Sequence, residues 1–185
     1  MRTPASPLLT IENALLGFVY EHPRHGYDIY QQLLAPDGLW QVWRLKQGQL
    51  YALLAKLEEA GHVTVTLQPQ EARPPRKIFA LTSAGRSAFL NWRSSPVDRG
   101  RQMRSEFLAK LYFACRQDIQ AADSLLAEQT STCQVWLTDL QRTVSSSPED
   151  TFIFAVRQFR IHQVQAFIAW LATCRQALGL PSRLT

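Results

Sequence analysis

The stretch LKQGQLYALLAKLEEAGHVTVTLQPQEARPPRKIFALTSAG, residues 45–85, decides the fold. Leu50, Leu53, Leu54 and Leu57 recur at steps of three and four, one apolar stripe on a helix predicted from about Gln47 to Ala60. Gly61 follows as the helix-ending residue. VTVTL (63–67) alternates β-branched and polar side chains and reads as a strand, and KIFAL (77–81) as its partner. Between them QPQEARPPR (68–76) holds Pro69, Pro74 and Pro75. Each lacks a backbone donor and has a fixed φ, which predicts an irregular, stiff hairpin tip. Thr82 is the expected N-cap of a helix to about Ser94, burying Leu81, Ala88, Phe89 and Trp92.

Towards the N-terminus, Thr10 is the expected cap of a helix over 10–21, whose Ile11, Ala14, Leu15, Phe18 and Val19 share a face. Pro23 ends it. A second helix is expected from Gly26 to Leu34, with Ile29, Tyr30, Leu33 and Leu34 inward. Pro36-Asp37-Gly38 is a turn signal. Residues 39–45 connect, partly extended, with Trp40 and Trp43 as packing residues. The order helix, helix, helix, strand, basic loop, strand, helix is that of a winged helix-turn-helix, placed at residues 1–95.

Towards the C-terminus, SSPVDRGRQ (94–102) reads as a linker and the rest as helix. Helices are expected over 103–115 and 118–144, then a break at Ser145-Ser146-Ser147. Ser147 is the expected cap of a last helix, with Pro148 at its first position and Glu149 and Asp150 at the positive end of its dipole. That helix would run 31 residues to Leu178, roughly 45 Å. A helix so long needs a partner along its length, and the two other tail helices offer too little surface. A second subunit is therefore expected, with Phe107, Leu111, Phe152, Val156, Phe159, Phe167 and Trp170 at the dimer interface. The fold class is mainly α with a small β-hairpin: a winged helix-turn-helix followed by an α-helical dimerisation domain over 103–185.

The 185-residue chain carries a formal charge of +5, a modest basic excess that favours a polyanionic partner. Residues 1–100 hold 11 Lys+Arg against 8 Asp+Glu and residues 101–185 hold 9 against 7, so net charge alone locates no site. No apolar run approaches a membrane span and no signal segment opens the chain, so a cytoplasmic location is expected. Cys115, Cys133 and Cys174 are odd in number and widely spaced, which predicts reduced thiols packed along helices, with a redox-sensing thiol as the alternative. His22, His25, His62 and His162 lack metal-ligand spacing. No metal, cofactor or catalytic set is expected, and an enzyme is not.

The chemistry sits on helix 47–60 and the hairpin. The major groove of B-DNA admits one α-helix and distinguishes bases by donors and acceptors. The leucines hold the helix to its body, while Lys46, Gln47, Gln49, Ala52 and Lys56 lie off the stripe. Glutamine pairs bidentately with adenine, and lysine takes guanine or phosphate. Tyr51 lies near the helix start, where recognition helices touch base edges, or packs between helices. Arg73, Arg76 and Lys77 charge the hairpin tip, Pro74-Pro75 stiffen it and Glu71 partly offsets it. Such a wing suits a minor groove or phosphates.

Read together, ALLGFVYEHPRHGYDIYQQL (14–33), LKQGQLYALLAKLEEAGHV (45–63), RPPRKIFALTSAGRSAFLNW (73–92) and RSEFLAKLYFA (104–114) resemble the PadR-like family of transcriptional regulators. The resemblance covers residues 8–115; the later helices match only in kind. It implies a homodimer on a pseudo-palindromic operator in double-stranded DNA, usually as a repressor, with helix 47–60 in the major groove. It also implies that His25-Gly26-Tyr27, at the start of helix two, lie near phosphate. Many members have proline where this chain has Ala52, and serine is common where it has Gln49, so base preference does not transfer.

Two other classes stay open at this point. A winged-helix module that docks proteins would lack the basic wing. A small-molecule effector would need a pocket, for which Trp92, Phe107, Phe159, Phe167 and Trp170 are candidate lining residues.

Overall fold

A computed structural model describes residues 8–70, 73–142 and 150–180. Its elements are α1 (Thr10–Phe18), β1 (Arg24–His25), α2 (Gly26–Leu34), a 3-10 turn (Leu39–Gln41), α3 (Gln47–Glu59), β2 (Val63–Gln70), β3 (Arg73–Leu81), α4 (Ser83–Ser94), a 3-10 segment (Gly100–Arg104), α5 (Glu106–Gln117), α6 (Ile119–Arg142) and α7 (Thr151–Ala177). The expected winged helix-turn-helix is present, followed among the described residues by helices alone.

The predicted stripe of α3 is its buried face. Leu50, Leu54 and Leu57 are at most 1% exposed, each contributing about 1.5–3 kcal/mol; Leu53 is only partly covered. Gly61 ends the helix with φ 73°. His62 N–H reaches Leu57 C=O and Gly61 N–H reaches Glu58 C=O, so the last carbonyls are satisfied. Thr82 caps α4 as expected, its hydroxyl accepting from Gly85 N–H at 3.0 Å.

Three local readings are corrected. The cap of α1 is Leu9, in extended backbone, and Thr10 is already helical. The capping role falls to Glu12, whose Oε2 accepts Leu9 N–H at 2.7 Å, while Thr10 donates to Glu106 at 3.1 Å. Helix α1 also closes at Phe18, well before Pro23. Helix α7 begins at Thr151 and has 27 residues, because the Asp150 carboxylate accepts the N–H groups of Phe152 and Ile153. Ser147, Pro148 and Glu149 lie outside the described residues.

The hairpin departs most from expectation. Both strands run through the proline-rich segment instead of ending before it. Gln68 pairs with Arg76 and Gln70 with Arg73, so Pro74 and Pro75 stand opposite Pro69 alone. All three prolines fall inside a β-bulge, where the ladder asks for no donor. The sheet also has a third strand, in the order β1-β3-β2. Arg24 pairs with Phe79 and His25 with Ile78. A dipeptide has no alternation to read, so β1 is set by tertiary contact alone.

Two cores meet along α5. The first collects Leu15, Leu16, Ile29, Leu33, Leu50, Leu54 and Phe89, with Ala109 and Phe113 of α5. The second collects Val97, Met103, Leu125, Leu126, Val164 and Leu171, with Phe107 and Ala114 of α5. Helix α5, expected to serve the tail alone, therefore serves both. Glu106 ties the joint together: Oε1 accepts from the Trp92 indole at 3.1 Å and faces Lys110 at 3.1 Å. Its Oε2 accepts from Thr10 and Gln102. In the tail, Arg175 and Asp123 pair at 2.5 Å, both side chains 8% exposed, and fix α7 to α6.

Candidate nucleic-acid interface

Helix α3 is two-sided in the sense its sequence requires. Lys46, Gln47, Gly48 and Gln49 are all exposed on its first turn, opposite the buried leucines. The helix has no Ser, Thr, Asp or Asn at its cap. Lys46 occupies that position, and Gln49 Oε1 accepts Lys46 N–H at 3.0 Å. This engages the amide oxygen that a bidentate contact with adenine requires, so Gln47 is the glutamine with both amide groups available. Gly48 was not singled out in the sequence. A Cβ built on it meets nothing within 4 Å, so packing gives no reason for a residue that weakens helices.

Beside this turn lies a cleft of about 450 Å³ lined by His25, Gly26, Tyr27, Tyr51, Arg76 and Lys77, with Asp28 and Pro75. Six of the residues expected at the site, from three separate stretches of sequence, thus share one cleft. His25 is the cap residue of α2, and its Nδ1 lies 3.4 Å from Lys77 C=O. That contact ties the start of α2 to the wing. Tyr27 is 57% exposed and Tyr51 38%, amphipathic side chains open to a partner. Asp28 went unread: it belongs to no pattern, and only the fold brings it to the wing.

Two expected residues stand apart. Lys56 pairs with Glu12 at 2.6 Å, and Glu12 is 1% exposed. A carboxylate that deep needs a counter-charge, so Lys56 is engaged in joining α3 to α1. Arg73 pairs through its backbone with Gln70 at the end of the hairpin; its side chain and Glu71 lie outside the described residues.

The expected dimer face divides. Phe152 is 74% exposed and Phe159 65%, and the neighbouring Ile153 and Phe154 are also exposed. Val156 is half-buried. Phe107 is instead fully buried in its own subunit, packed edge-on against Trp170 at 5.9 Å; its place on an interface is corrected. Leu111, Phe167 and Trp170 are partly covered by the second core. The five aromatics offered as a pocket do not share one: Trp92 packs against the first core, whereas Phe167 and Trp170 border a groove with Met103 and Leu108.

Burial pushes the thiols of Cys115, Cys133 and Cys174 upward, away from the thiolate a redox sensor uses. Among the described residues no group of three or more His, Cys, Asp or Glu is placed to hold a metal. No described helix is long and apolar enough to cross a membrane.

A sequence profile described as the transcriptional regulator PadR-like family matches residues 15–91, the stretch that builds α3, the wing and the cleft. The chain belongs to the PadR-like family. PadR-like proteins are transcriptional regulators and not enzymes. A second profile, described as virulence activator alpha C-term, matches residues 103–179. The chain is 27% identical over 173 residues to the negative transcriptional regulator PadR of Bacillus subtilis, covering 87% of this chain and 93% of that protein. Among solved structures it is similar to Bacillus subtilis PadR in complex with operator DNA, at 24% identity and TM-score 0.48, covering 94% and 99% of the two chains. It is also similar to the same protein in complex with p-coumaric acid, at 24% identity and TM-score 0.42, covering 92% and 99%.

Proposed function

We propose that this PadR-like regulator is a repressor that acts in the cytoplasm as a homodimer on a pseudo-palindromic operator. The observation that carries the reading is the exposed first turn of α3, with Gln47 and Lys46, beside a cleft where Tyr27, Tyr51, Arg76 and Lys77 converge. One copy enters the major groove by that turn, where Gln47 meets adenine and Lys46 meets guanine or phosphate. The wing lies along the flanking backbone. His25, Arg76 and Lys77 hold phosphates there, and the carboxylate of Asp28 sets the limit of approach.

The dimer reading rests on the exposed Phe152, Phe154 and Phe159 of α7. Apolar side chains gathered on one end of a helix mark an association surface. The winged-helix unit over 1–95 is then carried twice by the helical unit over 103–185. The sign of regulation follows the relative that is named a negative regulator. Two α3 helices about 34 Å apart occupy successive major-groove faces and block transcription by occupancy. A small-molecule effector would act by favouring a dimer shape with another spacing.

Affinity for a duplex, measured against salt, tests this. The expected log–log slope is steep, about −0.9 per phosphate neutralised. A flat response means that the basic cleft does not face nucleic acid.

A further inference from the structure

Helix α5 is fastened to the winged helix at both of its ends. At its start stands Glu106, whose side chain is 15% exposed. One carboxylate oxygen accepts from the Trp92 indole of α4 and faces Lys110, each at 3.1 Å. The other accepts from Thr10 of α1 at 3.1 Å and from Gln102 at 3.0 Å. Lys110 in turn donates to Ser95 C=O at 3.0 Å, at the exit of α4. Near the end of α5, roughly 15 Å along the helix, Arg116 reaches the turn that follows α2. Its Nη2 donates to Asp37 Oδ2 at 2.6 Å and to Asp37 C=O at 3.0 Å. The same guanidinium lies 3.9 Å from the centre of the Tyr112 ring.

These ties add direction to packing. Helix α5 enters the first core through Ala109 and Phe113, but apolar burial is non-directional. Hydrogen bonds weaken steeply off line, so two sets of them, one at each end of a helix, fix its angle to the body beneath. Both ties also lead to α3. Thr10 and Glu12 share the first turn of α1, and Glu12 holds Lys56 of α3 at 2.6 Å. Asp37 lies in the connection that runs from α2 into α3. On its other side α5 carries the tail, with Phe107 and Ala114 in the second core.

We propose that Glu106 and Arg116 are positioning residues that set which half-site spacing the protein accepts. The inference rests on the homodimer reading above and adds what fixes its geometry. Neither residue lines the basic cleft beside α3. They act through α5, holding each copy of α3 at one angle to the helical unit that joins the subunits. One base pair added between half-sites turns the second by about 35° and moves it about 3.4 Å. A stiff joint has to break contacts to follow that change, and a loosened joint follows freely. Glu106 carries more of the effect, because it is largely withdrawn from water. Arg116 and Asp37 are 37% and 77% exposed, so solvent screens their pairing.

The test has two arms, both on the full chain. The first uses no DNA. Spin labels at Ala55→Cys in α3 and Gln134→Cys in α6, both exposed positions, report the distance between the two units of one chain. Cys115→Ser and Cys174→Ser remove competing thiols, and dilution with unlabelled protein removes distances between subunits. The parent should give one narrow distribution. Glu106→Gln and Arg116→Ala should each broaden or shift it, Glu106→Gln more. The second arm titrates a single half-site, then the best inverted repeat from a random pool, then that repeat with one or two base pairs inserted. The parent should lose about tenfold or more on insertion, the worth of one charge-assisted hydrogen bond, and both variants about threefold or less. Their affinity for the single half-site should match the parent's. Arg142→Ala, which removes a tail cation paired with Asp139 away from the joint, should match the parent in both arms. Distances that neither variant alters overturn the proposal, as does an unchanged insertion penalty or a loss equal on all duplexes. A parent that prefers no inverted repeat overturns the homodimer reading and this inference with it. An intact repeat preference with unaltered distances overturns this inference alone.

Discussion

Tyr51 of α3 packs its ring on Gly26 of α2: a Cβ added to Gly26 would lie 2.5 Å from Tyr51 Cε1 and 3.2 Å from its hydroxyl. The contact lets α2 and α3 approach closely while the tyrosine stays 38% exposed on the cleft. Gly26→Ala should therefore push Tyr51 off its seat. The expected result is a loss of duplex affinity of roughly tenfold, near the size of one good contact, with a melting temperature close to that of the parent protein. Gel-shift titration beside thermal melting measures both. Unchanged affinity with the fold intact would remove Tyr51 from the interface.

Gly48 supplies a prediction of opposite signs. Its side is open, so Gly48→Ala adds helix propensity without a clash and should raise stability by roughly 0.5–1 kcal/mol. If the first turn of α3 presses against DNA, the same methyl should lower affinity for the operator. Denaturant melts and DNA titrations on one preparation read the two effects. A variant that gains stability and binds as before would show that nothing approaches Gly48.

Lys56 and Arg76 separate fold from contact. Lys56→Met leaves the buried Glu12 carboxylate without its cation. It should cost about 1–2 kcal/mol, less than a fully buried pair because Lys56 itself is 61% exposed. The salt slope of DNA binding should not change. Arg76→Ala should do the reverse, sparing stability and reducing the slope by about 0.9. A slope that falls on losing Lys56 would return that residue to the DNA face.

The joint around Glu106 predicts a pH effect. Burial holds the Lys110 ammonium below the usual lysine range, partly offset by Glu106 and Asp98. Folding thus favours the neutral amine, and the lysine's unfavourable contribution is present at neutral pH. It is relieved as pH rises through the lowered folded-state value towards the unfolded one. Lys110→Met should therefore flatten the rise in stability across the alkaline window below the normal lysine range. Parallel denaturant melts of parent and variant check this, and identical pH slopes would contradict it.

Much of this was legible in sequence because the signals are local. The leucine stripe of α3, the Gly61 stop, the Thr82 cap and the hairpin polarity each lie within a few residues. What was missed depends on distant parts. The prolines of the wing suggest a break when read alone, yet two of them face the third across a bulge and cost the ladder nothing. Strand β1 exists only because β3 lies beside it. Lys56 reads only as a lysine off the leucine stripe until Glu12, 44 residues away, turns out to be buried beneath it. Phe107 fits the interface pattern because a helical stripe does not say which body covers it.

The central claim is that two copies of α3, one from each subunit, read one duplex together. Selection of bound fragments from a pool of random duplexes tests it most directly. The account predicts recovered sequences with an inverted repeat whose half-site centres lie about one helical turn, roughly 10 base pairs, or a multiple of it apart. Recovery of a single unrepeated site, or no enrichment at all, would contradict it.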